Sequence, residues 1–169
     1  MPVLLVSDTS VLIDLERGGL LAAVFALPMK FAVPDLLYER ELRTWPGGDL
    51  KEAGLLVLAL DADGVELAQG YRRRERRLSL PDAFALSLAK TGGHVLLAGD
   101  ACLREQADVE GVECHGVLWV FDALFEQAIV TGADLASALR HLAAHRRCRL
   151  PAAEIQKRLQ KYERTQGGG

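Results

Sequence analysis

Two hydrophobic runs that each end in an aspartate constrain this chain more than any other feature. Val3-Leu4-Leu5-Val6 leads into Ser7-Asp8-Thr9-Ser10, and His94-Val95-Leu96-Leu97-Ala98 leads into Gly99-Asp100. A continuous apolar run of this length suits a strand buried on both faces of a parallel sheet. Thr9 or Ser10 can cap the helix that follows the first run, because a hydroxyl accepts one of its free backbone N–H groups. Each aspartate then stands at the carboxyl end of a strand, the side on which open α/β sheets bind ligands. Taken singly, such an aspartate is a helix cap or a turn former. Taken together, the two lie on one side of one sheet.

The rest of the chain alternates strand and helix. After the first strand the pattern predicts helices over 11–16 and 20–27, separated by Arg17-Gly18-Gly19. A short strand at 31–33 meets Pro34, and a helix over 35–43 follows, stopped by Trp45-Pro46-Gly47-Gly48. A strand at 55–60 leads through Asp61-Ala62-Asp63-Gly64 into a helix over 63–76. Pro81 fits the first helical position of the next helix, with Ser79 or Leu80 at its cap. That helix is mostly apolar through Lys90, so it is buried, and Asp82 begins it, where the helix dipole favours a carboxylate. Further helices are expected over 101–107, 117–130, 134–146 and 152–164, with an edge strand at 112–115.

Strands alternating with helices argue for an α/β fold. The expected architecture is a three-layer sandwich around a mostly parallel sheet of about five strands, with extra C-terminal helices. Residues 1–150 suffice for one compact domain, and 151–169 add a helix and a glycine tail. The 169 residues are 50% hydrophobic and 25% charged, which excludes long disorder and leaves one sizeable core. No apolar run is long enough to span a bilayer, and no basic region precedes the first one. Three scattered cysteines, without a CxxC pair, point to a reduced, cytoplasmic protein.

Asp8, Asp82, Asp100 and a glutamate of the 35–43 helix are expected on one side of the sheet. Glu41 is the preferred glutamate and Glu39 its rival. Carboxylates brought together raise one another's pKa, and a hard divalent cation offsets their repulsion with oxygen ligands alone. Mg²⁺ fits, as does Mn²⁺. Such an ion lowers the pKa of water and orients it for in-line attack on phosphorus. No Cys/His set has zinc spacing. His94 and His115 read as satisfied surface or edge residues flanking strands, with His115 alone a candidate for a substrate contact. The net charge of −3 does not exclude a nucleic-acid partner, because charge distribution matters more than the sum. Two basic stretches stand out, Arg72-Arg73-Arg74-Glu75-Arg76-Arg77 and His145-Arg146-Arg147-Cys148-Arg149.

Four stretches in order resemble PIN-domain proteins, the family that includes VapC-like toxins. They are 6–12 around Asp8, 33–42 from Val33-Pro34 to Glu41-Leu42, 80–89 around Asp82, and 96–104 from Leu96 to Arg104. The resemblance covers about residues 3–120. It implies a metal-dependent endoribonuclease with a central parallel sheet and an acidic pocket binding Mg²⁺ or Mn²⁺. By motif position, its acids correspond to Asp8, Glu41, Asp82 and Asp100. Thr9 or Ser10 matches the hydroxyl beside the first acid. Ala101-Cys102 departs from the pattern, which often has Thr or Ser after the fourth. Arg72, Arg73, Arg76 and Arg104 are candidates for holding the RNA backbone. The resemblance also implies a small antitoxin partner and a homodimer, to which the apolar helix carrying Trp119 and Phe121 could contribute. Competing readings are a PIN-like RNA- or protein-binding domain with little catalysis, and a phosphotransfer domain on a lone aspartate served by Lys51 or Lys90.

Overall fold

The computed structural model describes residues 2–164, so the expected glycine tail at Gly167 to Gly169 lies outside the described residues. Five short strands, β1 (Leu5–Ser7), β2 (Phe31–Pro34), β3 (Leu56–Leu58), β4 (Val95–Leu97) and β5 (Cys114–His115), form one sheet in the order β3-β2-β1-β4-β5. Every pairing is parallel, with Leu5 opposite both Phe31 and Val95. Adjacent residues Leu5 and Val6 are both fully buried, so both faces of the sheet are covered, as a parallel sheet requires. The fold is the expected α/β sandwich with additional C-terminal helices.

Helices fill the connections: α1 (Thr9–Arg17), α2 (Leu21–Val24), α3 (Asp35–Leu37), α4 (Leu50–Ala53), α5 (Ala62–Arg74), α6 (Leu80–Gly92) and α7 (Ala101–Val109). After β5 come α8 (Val117–Glu126), α9 (Gly132–Ala144) and α10 (Ala152–Arg164). Among the described residues, two compact units form. One holds residues 2–12 and 28–117 and contains the sheet; the other holds 13–27 and 118–164.

In the sheet-bearing unit, α5, α6 and α7 pack on Val6, Leu96 and Ala98 through Ala68, Ala85, Leu86, Ala89 and Leu103. Small residues on α6 let it lie close, and Ser87 donates to the Gly64 carbonyl of α5 at 2.7 Å. In the other unit, Asp122 of α8 accepts the Tyr162 hydroxyl at 2.7 Å and the Arg158 guanidinium at 2.9 Å, tying α10 to α8. Gly132 has no room for a Cβ, because the Tyr162 carbonyl lies against it.

Several boundaries differ from expectation for physical reasons. The helix expected over 35–43 is α-helical only for Asp35–Leu37 and then widens into a π-helical turn, Tyr38–Leu42. Pro34 stands one residue before this helix as its cap. The helix expected to reach 130 ends at Glu126, because Ala128 turns left-handed at φ 55°. There the Ala128 N–H meets the Phe125 carbonyl and the Ile129 N–H the Leu124 carbonyl, the pattern of a Schellman stop. The single turn α4 was not expected; Asp49 caps it by accepting the Lys51 N–H.

Candidate functional site

The chain steps outward from β1 to β2 and β3, then crosses to the other side of β1 for β4 and β5. The order reverses between β1 and β4, and at such a switch point the loops leave in opposite directions and open a crevice. Asp8 follows β1 and Asp100 follows β4, so both expected strand-end acids flank this point.

Asp8 is 2% exposed and held from several sides. Its Oδ1 accepts the Val11 N–H at 2.8 Å, which makes Asp8, rather than Thr9 or Ser10, the cap of α1. Its Oδ2 accepts the Ser10 hydroxyl at 2.8 Å and the Gly99 N–H at 2.9 Å. Burial pushes the Asp8 carboxyl above its usual range, while the donors Val11, Gly99, Ser10 and Asp100 pull against that. A Cβ on Gly99 would stand 2.6 Å from Ser10 Oγ, so the residue before Asp100 must be small to reach Asp8. Asp100 caps α7, its Oδ2 accepting the Leu103 N–H at 2.9 Å.

Asp82 lies half-buried in the first turn of α6, whose cap is Ser79; Pro81 occupies the second helical position rather than the first. Ser79 Oγ accepts the Asp82 N–H at 3.2 Å. Burial raises the Asp82 carboxyl to about 6, and the negative charges of Asp8, Asp100 and Glu41 add to the shift. The charges of three carboxylates from three other stretches thus bear on Asp82.

The two rival glutamates point to different partners. Glu41 accepts the Thr9 hydroxyl, beside Asp8. Glu39 pairs with Arg43 at 2.9 Å on the exposed side of the same turn. Both lie in the π-helical turn, a feature that often marks functional sites.

The gathered donors are oxygens, which fits a hard divalent ion such as Mg²⁺ or Mn²⁺. Among the described residues, however, no three His, Cys, Asp or Glu side chains stand close enough to hold a metal ion. The two observations are compatible, because charges act over longer distances than coordination bonds. The acids are neighbours by charge rather than an assembled coordination shell.

The basic stretch at 72–77 divides. Arg74 pairs with Glu110 at 3.5 Å and Arg77 with Glu75 at 3.0 Å, whereas Arg73 and Arg76 are exposed. Arg72 donates to the Leu78 carbonyl at 3.2 Å. Arg104 stands near Cys114, where its charge opposes the burial that pushes the thiol up to about 11. His94 Nδ1 accepts the Leu4 N–H at 3.2 Å, and His115 Nε2 meets Glu113 at 3.1 Å. Phe121 is fully buried and Trp119 partly so. Of the two expected caps of α6, Ser79 is the one the structure uses. Sequence reasoning missed the closeness Gly99 provides, although a glycine just before a strand-end acid was a usable signal.

No curated protein matches the sequence. A solved structure, a PilT N-terminus domain protein, SSO1118, from the hyperthermophilic archaeon Sulfolobus solfataricus P2, is similar at 14% identity with a TM-score of 0.47, over 73% of this chain and 94% of that one. A family model described as "DUF3368: PIN domain" matches residues 4–164, nearly the whole described chain, and the protein therefore belongs to the PIN-domain family.

Proposed function

We propose that the chain is a divalent-metal-dependent endoribonuclease whose site is formed by Asp8, Asp82 and Asp100, with Glu41 as a further ligand or water positioner. The observation that carries this reading is the convergence of four acids from separate stretches at the β1–β4 switch point, felt most strongly at Asp82. Helix capping accounts for Asp8 and Asp100, and the helix dipole for Asp82, but neither accounts for the charges that meet at Asp82. Mg²⁺ or Mn²⁺, when bound, supplies a lowered water pKa and neutralises charge on a phosphodiester.

The chain's own residues do the positioning. Val11, Ser10 and Gly99 fix the Asp8 carboxylate before any ligand arrives. Thr9 holds Glu41 toward the same place. Arg72, Arg73, Arg76 and Arg104 hold RNA phosphates as fixed positive charges. Family membership supports the substrate class, and it extends the proposal to a cytoplasmic toxin restrained by a small antitoxin and acting as a homodimer. Among the described residues, no helix is long and apolar enough to cross a membrane.

The test is Mn²⁺-dependent cleavage of a labelled single-stranded RNA by the wild-type chain and by Asp8→Asn, with folding checked by circular dichroism. A loss of at least about 100-fold is expected, the scale at which metal sites respond to altered ligation. Retained cleavage would overturn the site assignment. A well-folded wild type that neither cleaves RNA nor binds Mn²⁺ would favour the RNA- or protein-binding reading instead.

A further inference from the structure

Between Asp134 and Glu154 the sequence contains no acidic residue, yet it contains four arginines and two histidines. This excess is local, because the chain as a whole carries a net charge of −3. Arg140 is neutralised by Glu163 on α10. The other three, Arg146, Arg147 and Arg149, fall in the turn between α9 and α10. Arg146, Arg147 and Arg149 are exposed, and none of them forms an ion pair among the described residues.

The turn has a defined shape. The Arg147 N–H donates to His145 Nδ1 at 3.1 Å, and the Cys148 N–H donates to the His145 carbonyl at 2.9 Å. His145 therefore folds the backbone over itself and leaves the arginine side chains on the outside. Arg17, from the C-terminal end of α1, adds a further positive charge beside His145, and Asp14, 3.8 Å from Arg17, is the acid set against it. The charges of Arg17, Arg146 and Arg147 all bear on the His145 ring and, with its burial, hold the imidazole below its usual pKa. Three cations thus surround one ring, with Asp14 the one acid that acts on it.

We infer that the α9–α10 turn, with Arg146, Arg147 and Arg149 beside Arg17, is a second RNA-binding surface that grips the phosphate backbone. The planar guanidinium matches phosphate oxygens two at a time, and a polyanion relieves the crowding of like charge. The inference rests on RNA being the substrate, but it uses none of the acidic residues of the proposed nuclease site.

Binding of a fluorescein-labelled single-stranded RNA is measured by anisotropy in EDTA, where metal-dependent cleavage cannot occur. The full chain is compared with R146A/R147A/R149A, with the lysine triple variant R146K/R147K/R149K, and with Lys30→Ala, which removes one exposed charge of the sheet-bearing unit. The alanine triple variant is expected to bind at least about 10-fold more weakly. Its dependence on salt should be shallower by about 2 in log–log slope, as expected for three lost contacts to a single strand. The lysine variant should keep most of the affinity and slope, and Lys30→Ala should bind RNA with nearly wild-type affinity. Equal affinity and slope in the wild type and the alanine variant would overturn the inference, as would wild-type binding to vesicles of anionic lipid without binding to RNA. Failure of cleavage in Mn²⁺ with this binding pattern intact would count against the proposed nuclease site alone.

Discussion

Asp82 is where the electrostatics of the site can be read by titration. Its carboxyl is raised from 3.8 to about 6, so the protonated form is favoured in the folded chain. A raised carboxyl contributes stability that is fully present below about pH 4 and is lost as pH rises through about 6. Asp8 is shifted in the same direction. In EDTA, urea denaturation should therefore show stability falling between pH 4 and pH 6. Asp82→Asn should flatten much of that fall and be more stable than the wild type at pH 7 by about 1–2 kcal/mol, after allowance for partial exposure. A profile unchanged by the substitution would mean that burial and the neighbouring acids do not raise the Asp82 carboxyl. The glutamates give a second contrast at this scale. Glu41→Gln keeps an oxygen to accept from Thr9 but removes the charge, so RNA cleavage should drop while the fold holds. Glu39→Gln removes only an exposed ion pair, worth at most about 1 kcal/mol, and should leave cleavage as it was.

At the scale of elements, the ends carry the information. Asp100 and Asp8 each cap a helix, so the same carboxylates whose charges bear on Asp82 also start α7 and α1. Asparagine caps as well as aspartate does, so Asp100→Asn removes charge without removing the cap. Gly99 lets the end of β4 reach Asp8. Gly99→Ala should push the Ser10 hydroxyl away from Asp8 and cost about 1 kcal/mol, measurable as a lowered Tm. Ala128 holds a left-handed conformation that glycine adopts without a Cβ penalty. Ala128→Gly should raise stability by up to about 1 kcal/mol; a lower Tm would show that the stop after α8 is not strained.

Strands were legible because buried parallel strands read as unbroken apolar runs, as at Leu96-Leu97-Ala98, and because each of two runs ended in an acid. The order of those strands was not legible, since nothing in the runs says that β4 crosses to the far side of β1. The π-helical turn at Tyr38–Leu42 was hidden because it changes the hydrogen-bond register and not the residue pattern. Glu41, and not Glu39, meets Thr9, which spacing from Pro34 left open. The stop at Ala128 was hidden for the opposite reason: an alanine occupies a position where a glycine would have announced it.

For the whole molecule, the claim is that acids brought together by the sheet's switch point exist to hold a divalent cation. They repel through space without standing at coordination distance, so binding should draw them together and offset a cost that the folded chain otherwise bears. A calorimetric titration of Mn²⁺ at pH 7 into the wild-type chain, Asp82→Asn, Asp100→Asn and Glu39→Gln tests this without knowledge of the RNA. The account predicts binding by the wild type, unchanged affinity for Glu39→Gln, and at least about 10-fold weaker binding for either asparagine variant. No heat of binding in a folded wild type, or equal affinity in all four chains, would contradict it.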